Sequence, residues 1–190
     1  MATETPQFDI INEDGSFAIR KYKGFIMANV KIKSGSYKNA VYSGFNYLAD
    51  YIFGNNVAAD KISMTAPLSA ARIYSEKIAM TAPVNTIQEG ESYIVSFTMP
   101  SNYKLNNLPM PNNKAVFITE TKTFYAVAVK LSGYLTDNKI IINEKRLNDW
   151  AKINNLEIIG KPVFSQFDPP WKPWFLRHNE IFMEIKKPNG

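Results

Sequence analysis

Apolar and polar residues alternate with a period of two along much of this chain, the signature of half-buried strands. In FAIRKY (17–22), Phe17 and Ile19 share a face. In FIMANVKI (25–32), Ile26, Ala28, Val30 and Ile32 share one. YIVSFTMP (93–100) aligns Tyr93, Val95, Phe97 and Met99; FYAVAVKL (124–131) aligns Tyr125, Val127, Val129 and Leu131; IFMEI (181–185) aligns Ile181, Met183 and Ile185. Such strands form antiparallel sheets with one face on the core and the other wet or covered. Two segments have helical spacing instead. Val41, Phe45, Leu48 and Ile52 form one apolar stripe in YKNAVYSGFNYLADYIFG (37–54), with Gly54 as its C-terminal stop. In TDNKIIINEKRLNDWAKINN (136–155), Ile140, Leu147, Trp150 and Ala151 face inward, and Asp137 or Asn138 is the expected N-cap. The run Ile140–Ile142 also reads as strand, which leaves the start of this helix open.

The order strands, helix, strands thus occurs twice, and the two passes meet in the Asn/Pro-rich stretch 100–114. The expected fold is α+β: a distorted antiparallel β-barrel or twisted sheet with two helices, arranged as a pseudo-twofold duplication. At 190 residues the chain is expected to be one domain (1–190), with halves at about 8–100 and 114–186.

Composition narrows the chemistry. With 45% hydrophobic and 13% aromatic residues the chain can bury a sizeable interior. It has no cysteine, which excludes disulfides, thiolate metal sites and cysteine nucleophiles. No apolar run approaches the ~20 residues of a membrane helix, and MATETPQFDI lacks the basic and apolar regions of a signal peptide. The expectation is a cytoplasmic protein without membrane insertion. The net charge of +5 is spread as single lysines over the C-terminal half, with no basic run, so it reads as a solvated surface and no nucleic-acid partner is expected.

One segment is written twice: KISMTAP at 61–67 and KIAMTAP at 77–83. Alternation places Ile62 with Met64, and Ile78 with Met80. Each copy is expected to be a short edge or hairpin strand giving one Ile and one Met to an apolar wall, with the proline marking the exit from the sheet. A methionine thioether can ligate heme iron, but packing is the ordinary role of such pairs.

The doubled M-T-A-P segment, VSFTMPSNYKLNNLPMPNNKAV and FDPPWKPWFLRHNEIFMEI together resemble the SOUL heme-binding protein family, in particular its bacterial-type branch. IRKY, YSGFNYLADYIFGNN and YAVAVKLSGY fit as well, so the resemblance spans roughly residues 8–186. It implies a pseudo-twofold antiparallel fold with two helices, similar to the effector-binding domains of bacterial multidrug-response regulators. It also implies reversible binding of heme, and of iron-free porphyrins, in an apolar groove by a carrier, scavenger or buffer that is not an enzyme.

The resemblance places the groove between the first helix, around Tyr42, Phe45 and Ala49, and the loop DPPWKPWFLRHNE. A porphyrin is a flat apolar plate with two carboxylates. It needs aromatic walls, which Phe45, Trp171, Trp174 and Phe175 offer, and cations at the rim, which Lys172 and Arg177 offer. The prolines around Trp171 and Trp174 also suit a structural plug. Two positions depart from the family pattern. The first helix carries Tyr42 and Asp50 where some relatives have basic residues, with Lys38 as its only cation. Lys21 stands where an axial histidine is proposed for some animal members. The single histidine, His178, lies where relatives usually have a second arginine; it is a candidate iron ligand or a hydrogen-bonding residue of the loop. Asn179 and Glu180 are expected to fix the loop.

Hydrolytic and metal readings find no support: one histidine and no cysteine leave no triad or zinc site, the carboxylates form no pair in sequence, and no phosphate-binding glycine loop is present. Two alternatives to heme stand. The chain is an effector module for other flat or cationic molecules, with Asp50 or Glu180 as the receiving carboxylate. Or it is an interaction module whose groove takes a partner helix.

Overall fold

The computed structural model describes residues 3–58, 75–169 and 171–188. The elements run β1 (Phe8–Asp14), β2 (Phe17–Tyr22), β3 (Ile26–Lys33), α1 (Tyr37–Ile52), β4 (Asn56–Val57), β5 (Val84–Glu89), β6 (Ser92–Thr98), β7 (Met110–Pro111), β8 (Val116–Glu120), β9 (Phe124–Ser132), α2 (Asp137–Ile153), β10 (Val163–Gln166) and β11 (His178–Ile185), with a 3-10 turn at Trp174–Leu176. Nine strands form one antiparallel sheet in the order β1-β2-β9-β11-β10-β5-β6-β3-β8, and β4 pairs with β7 apart from it. The sheet is open, with β1 and β8 as its edges. It is therefore not the closed barrel that was one form of the expectation, but the twisted-sheet form.

The order reads the same from either side of the β5–β10 seam. Outward from that seam, β5, β6, β3, β8 are matched by β10, β11, β9, β2, and each half has one helix after its β3 or β9. The outer strands of the two matched sets are exchanged: β2, which leads into β3, pairs with β9, while β8, which leads into β9, pairs with β3. This exchange ties the halves together by backbone hydrogen bonds at three places rather than at the seam alone.

Both helices lie on one face of the sheet. α1 sits over β3 and β6, where Leu48, Tyr51 and Ile52 join Ile26, Ala28, Val30, Val95 and Phe97 in one buried cluster. α2 sits over β9 and β11, where Ile140, Leu147, Trp150 and Ala151 meet Val127, Val129, Ile181 and Met183 in the other. Tyr37 and Ala40, at the start of α1, belong to this second cluster together with Leu135, just before α2, so the N-terminal turns of the helices meet over the seam. The α1 N-cap is Ser36, whose Oγ accepts from the Asn39 amide. The α2 N-cap is Thr136, accepting from Lys139, rather than Asp137 or Asn138. Asp137 falls in the first turn, where its charge faces the positive end of the helix dipole, and Ile140–Ile142 is helical.

The second copy of the repeated segment corrects an expectation; the first, 61–67, lies outside the described residues. Residues 77–83 form no strand. Ile78 is buried under α1, its amide bonded to the Ile52 carbonyl, but Met80 is 42% exposed and joins no wall. Thr81 donates to the Thr98 carbonyl, and the Ala82 amide donates to the Glu4 carbonyl. The segment is an anchored lead-in to β5, held by two main-chain amides and the Thr81 hydroxyl, which need no alternating pattern.

Candidate functional site

Alternation has a consequence on the face away from the helices. Glu180 pairs with Ser165, Ser165 with Asn85, Asn85 with Ser96 and Ser96 with Asn29, so five polar residues stand in one row across β11, β10, β5, β6 and β3. All five are buried. Ser165 Oγ donates to Asn85 Oδ1 and Ser96 Oγ to Asn29 Oδ1, each at 2.7 Å. At the row's end, Arg20 of β2 donates from Nη1 and Nη2 to Glu180 Oε2 and Oε1, at 2.5 and 2.9 Å. Nη1 also donates to Tyr22 Oη, and the guanidinium lies over the Phe8 ring at 4.3 Å. Arg20 is 1% exposed and Glu180 3%.

Burial alone would raise the Glu180 pKa. Hydrogen bonds from His178 and Arg20, and the Arg20 charge, outweigh it and hold the carboxyl below its ordinary value. Burial likewise works to lower Arg20, and its bonds to Glu180 reverse that. The N-terminal residues Thr5 and Pro6, with Phe8, Tyr22, Phe25, Phe167 and Phe182, cover this row around a cavity of about 20 Å³, room for one water. A larger cavity, about 210 Å³, lies beside it under Glu4–Gln7.

His178 belongs to this face. Its Nε2 is 3.0 Å from Glu180 Oε1, and since a carboxylate only accepts, that nitrogen carries the proton. Its ring stacks on Phe167 at 4.4 Å. Asp50, the other carboxylate considered for cationic ligands, is exposed on α1 and accepts from Asn55. Both Glu180 oxygens are taken by Arg20, and one also by His178.

The remaining sequence-selected residues lie on α1 and on the loop before β11. On α1, Tyr42 is exposed, Phe45 is half-buried with its ring 5.4 Å from Phe97, and Ala49 is buried. The loop before β11 is held from below by Asp168. Its Oδ1 accepts from Lys172 Nζ at 2.6 Å and its Oδ2 from the His178 amide at 2.5 Å, and these donors keep its pKa low against the opposing effect of burial. Arg177 Nε donates to the Lys172 carbonyl, and its guanidinium lies over Tyr134 at 4.5 Å. Trp174 packs beside Gly133, whose φ is +80° and at which an added Cβ would stand 3.6 Å from the indole. So fixed, the loop presents Trp171, 82% exposed, and Trp174, Phe175 and Leu176, all more than half exposed.

From this loop, at the start of β11, to β6 under α1 is three inter-strand steps, about 14 Å. At that end of the sheet, Val84 of β5 and Gln166 of β10 pair with each other, and both are half-buried. The structure places Trp171, Lys172, Trp174, Phe175 and Arg177 on one loop and Tyr42, Phe45 and Ala49 on one sector of α1, with β10 and β5 between β11 and β6 in the sheet. It does not bring His178 into that group.

The pairing of two charged residues escaped the reading of the sequence. Arg20 and Glu180 stand on the polar side of their strands, where a charged residue looks solvated, and only the pairing partner 160 residues away shows that they are buried together.

An open antiparallel sheet in two matched halves, each with one helix, is the architecture of regulator effector-binding domains. The chain superposes on the C-terminal domain of EcmrR with a TM-score of 0.58, at 13% identity over 90% of this chain and 98% of that one. A protein described as a hydrolase from Listeria innocua shares the fold at a TM-score of 0.55, with 9% identity over 93% and 94% of the two chains. At such identities the likeness concerns the fold alone. The family model of the SOUL heme-binding protein matches residues 3–184, and the chain belongs to that family. It is 28% identical to heme-binding protein 2 of Homo sapiens, over 96% of this chain and 86% of that protein, and 25% identical to heme-binding protein 2 of Mus musculus, over 94% and 86%. Among the described residues, no helix is long and apolar enough to cross a membrane, and no group of three or more His, Cys, Asp or Glu is placed to hold a metal ion.

Proposed function

We propose that this chain binds heme reversibly on the helix-covered face, in the groove between α1 and the 171–177 loop, and serves as a carrier, scavenger or buffer rather than an enzyme. One observation carries the reading. Four large apolar side chains are held out to solvent on a loop that is itself tied down by Asp168, Arg177 and Gly133. A fixed, exposed aromatic surface of this kind marks a binding site. The donor set fits a porphyrin: Trp174 and Phe175 opposite Phe45 and Ala49 as walls, with Tyr42 and Trp171 at the margins. Lys172 and Arg177 are the cations for the propionates. Family membership supports the ligand class. The same walls accept a porphyrin without iron, since dispersion and desolvation do not depend on the metal.

The test is titration of the purified protein with hemin and with iron-free protoporphyrin, following the Soret band and quenching of Trp171 and Trp174 fluorescence. Trp150 is a suitable internal contrast, because it is buried against Phe17 at 5.2 Å. Saturable one-to-one binding of both, weakened about tenfold by Trp174→Ala, with bound hemin passing to apomyoglobin, is the expected result. Absence of saturable binding of either porphyrin contradicts the reading.

A further inference from the structure

Heme iron offers an axial position, and the residue types that usually fill it are scarce in this chain. Cysteine is absent and there is one histidine. His178 is engaged through Nε2 with Glu180, is stacked on Phe167, and stands on the sheet face opposite the helices. Met80 is exposed, but a soft thioether is a poor match for ferric iron, which favours anionic oxygen.

We infer that Tyr134 is the axial ligand of ferric heme in this protein, its phenolate oxygen held beside the iron by the loop that builds the groove. This rests on the proposed heme groove. Tyr134 lies between β9 and α2, flanked by Gly133, on which Trp174 packs, and by Leu135, which is buried with Tyr37 and Ala40 of α1. It therefore borders both the aromatic loop and the start of the helix opposite. Its side chain is 54% exposed, and its hydroxyl has no hydrogen-bond partner among the described residues. The Arg177 guanidinium lies 4.5 Å from its ring centroid, supplying positive charge next to an oxygen that becomes anionic on coordination. Tyr42 and Tyr47, the exposed tyrosines of α1, have no such cation over their rings among the described residues.

Coordination is balanced as a ligand exchange. Tyr134 gives its phenolic proton to the hydroxide that ferric heme carries in neutral solution. That hydroxide leaves as water, and Oη takes the vacated position with no change of oxidation state. A phenolate ligand favours Fe(III) over Fe(II), so the site favours oxidised heme.

The test compares the wild type with Tyr134→Phe and Tyr47→Phe. Neither change removes more than one exposed hydroxyl, so folding is kept. The ferric complex of the wild type is expected to show a phenolate-to-iron charge-transfer band and phenolate modes in resonance Raman. Tyr134→Phe is expected to abolish both and to weaken hemin about tenfold or more while leaving protoporphyrin affinity unchanged. Tyr47→Phe, which is not among the groove residues, is expected to keep both signatures. Hemin binding without phenolate signatures in the wild type, or their persistence in Tyr134→Phe, overturns the assignment while leaving the groove intact. Failure of the wild type to bind either porphyrin overturns the groove and the assignment together.

Discussion

Replacing Glu180 by glutamine is expected to lower folding stability by about 3–5 kcal/mol, the range for removing one partner of a buried ion pair. The substitution keeps shape and volume, so the loss is that of charge. Arg20 is left cationic in a buried site, with its Nε already unpartnered among the described residues and Tyr22 Oη and a neutral amide as its remaining acceptors there. Removing both charges differs from removing one: Arg20→Met with Glu180→Leu is expected to recover most of the loss, because no buried charge remains. The pH dependence has a definite sign. Glu180 has a lower pKa folded than unfolded, where about 4.3 is usual. Its contribution is therefore complete above that value and lost as pH falls through the folded one. Denaturant unfolding at neutral and acid pH reads both effects: the wild type loses stability steeply on acidification, and Glu180→Gln shows a flatter dependence. A Glu180→Gln protein as stable as the wild type at pH 7 would show that the pair contributes nothing.

The second large effect concerns Gly44 on α1. A Cβ built there stands 2.5 Å from Val95 Cβ and 2.6 and 2.9 Å from its two methyls. Glycine inside a helix costs about 1 kcal/mol relative to alanine; it is retained because α1 approaches β6 more closely than any other side chain permits. Gly44→Val adds three carbons at this contact. The expected loss is about 3 kcal/mol, the upper end of the overpacking range. For Gly44→Ala, the gain in helix propensity offsets part of the strain, and a smaller loss is expected. Because α1 is one wall of the proposed groove, displacing it is also expected to weaken porphyrin binding. Thermal unfolding and hemin titration of the two variants check both statements; a Gly44→Val protein that melts with the wild type would contradict this packing.

What could be read in the sequence follows from where each strand keeps its apolar residues. β2, β3, β6, β9 and β11 put theirs on the helix-covered face, and the period of two is plain in each. β5 and β10 place Asn85 and Ser165 in a buried polar row, which reads as turn-forming sequence, and β1 has Ile10 and Ile11 adjacent and exposed on an edge with a bulge between Ile10 and Asn12. None of these announces a strand. The helices were legible from their stripes, but not the Thr136 cap, which competes locally with Asp137 and Asn138. The aromatic loop was found through its resemblance to a family motif. What fixes it, Asp168 from below and Arg177 across Tyr134, depends on contacts that only the folded chain creates. Gly44 carried a local signal, a glycine inside a helical stripe, whose meaning rests on Val95 across the interface.

The most direct test of the heme groove is the paramagnetic effect of bound hemin on backbone amide signals, with diamagnetic zinc protoporphyrin as the reference. Broadening is expected to concentrate at residues 41–49, 133–135 and 171–177, with the amides around Phe8, Tyr22 and Phe182 spared. Broadening centred on that second set would put the ligand on the opposite face of the sheet, under the N-terminal residues, and would contradict the account.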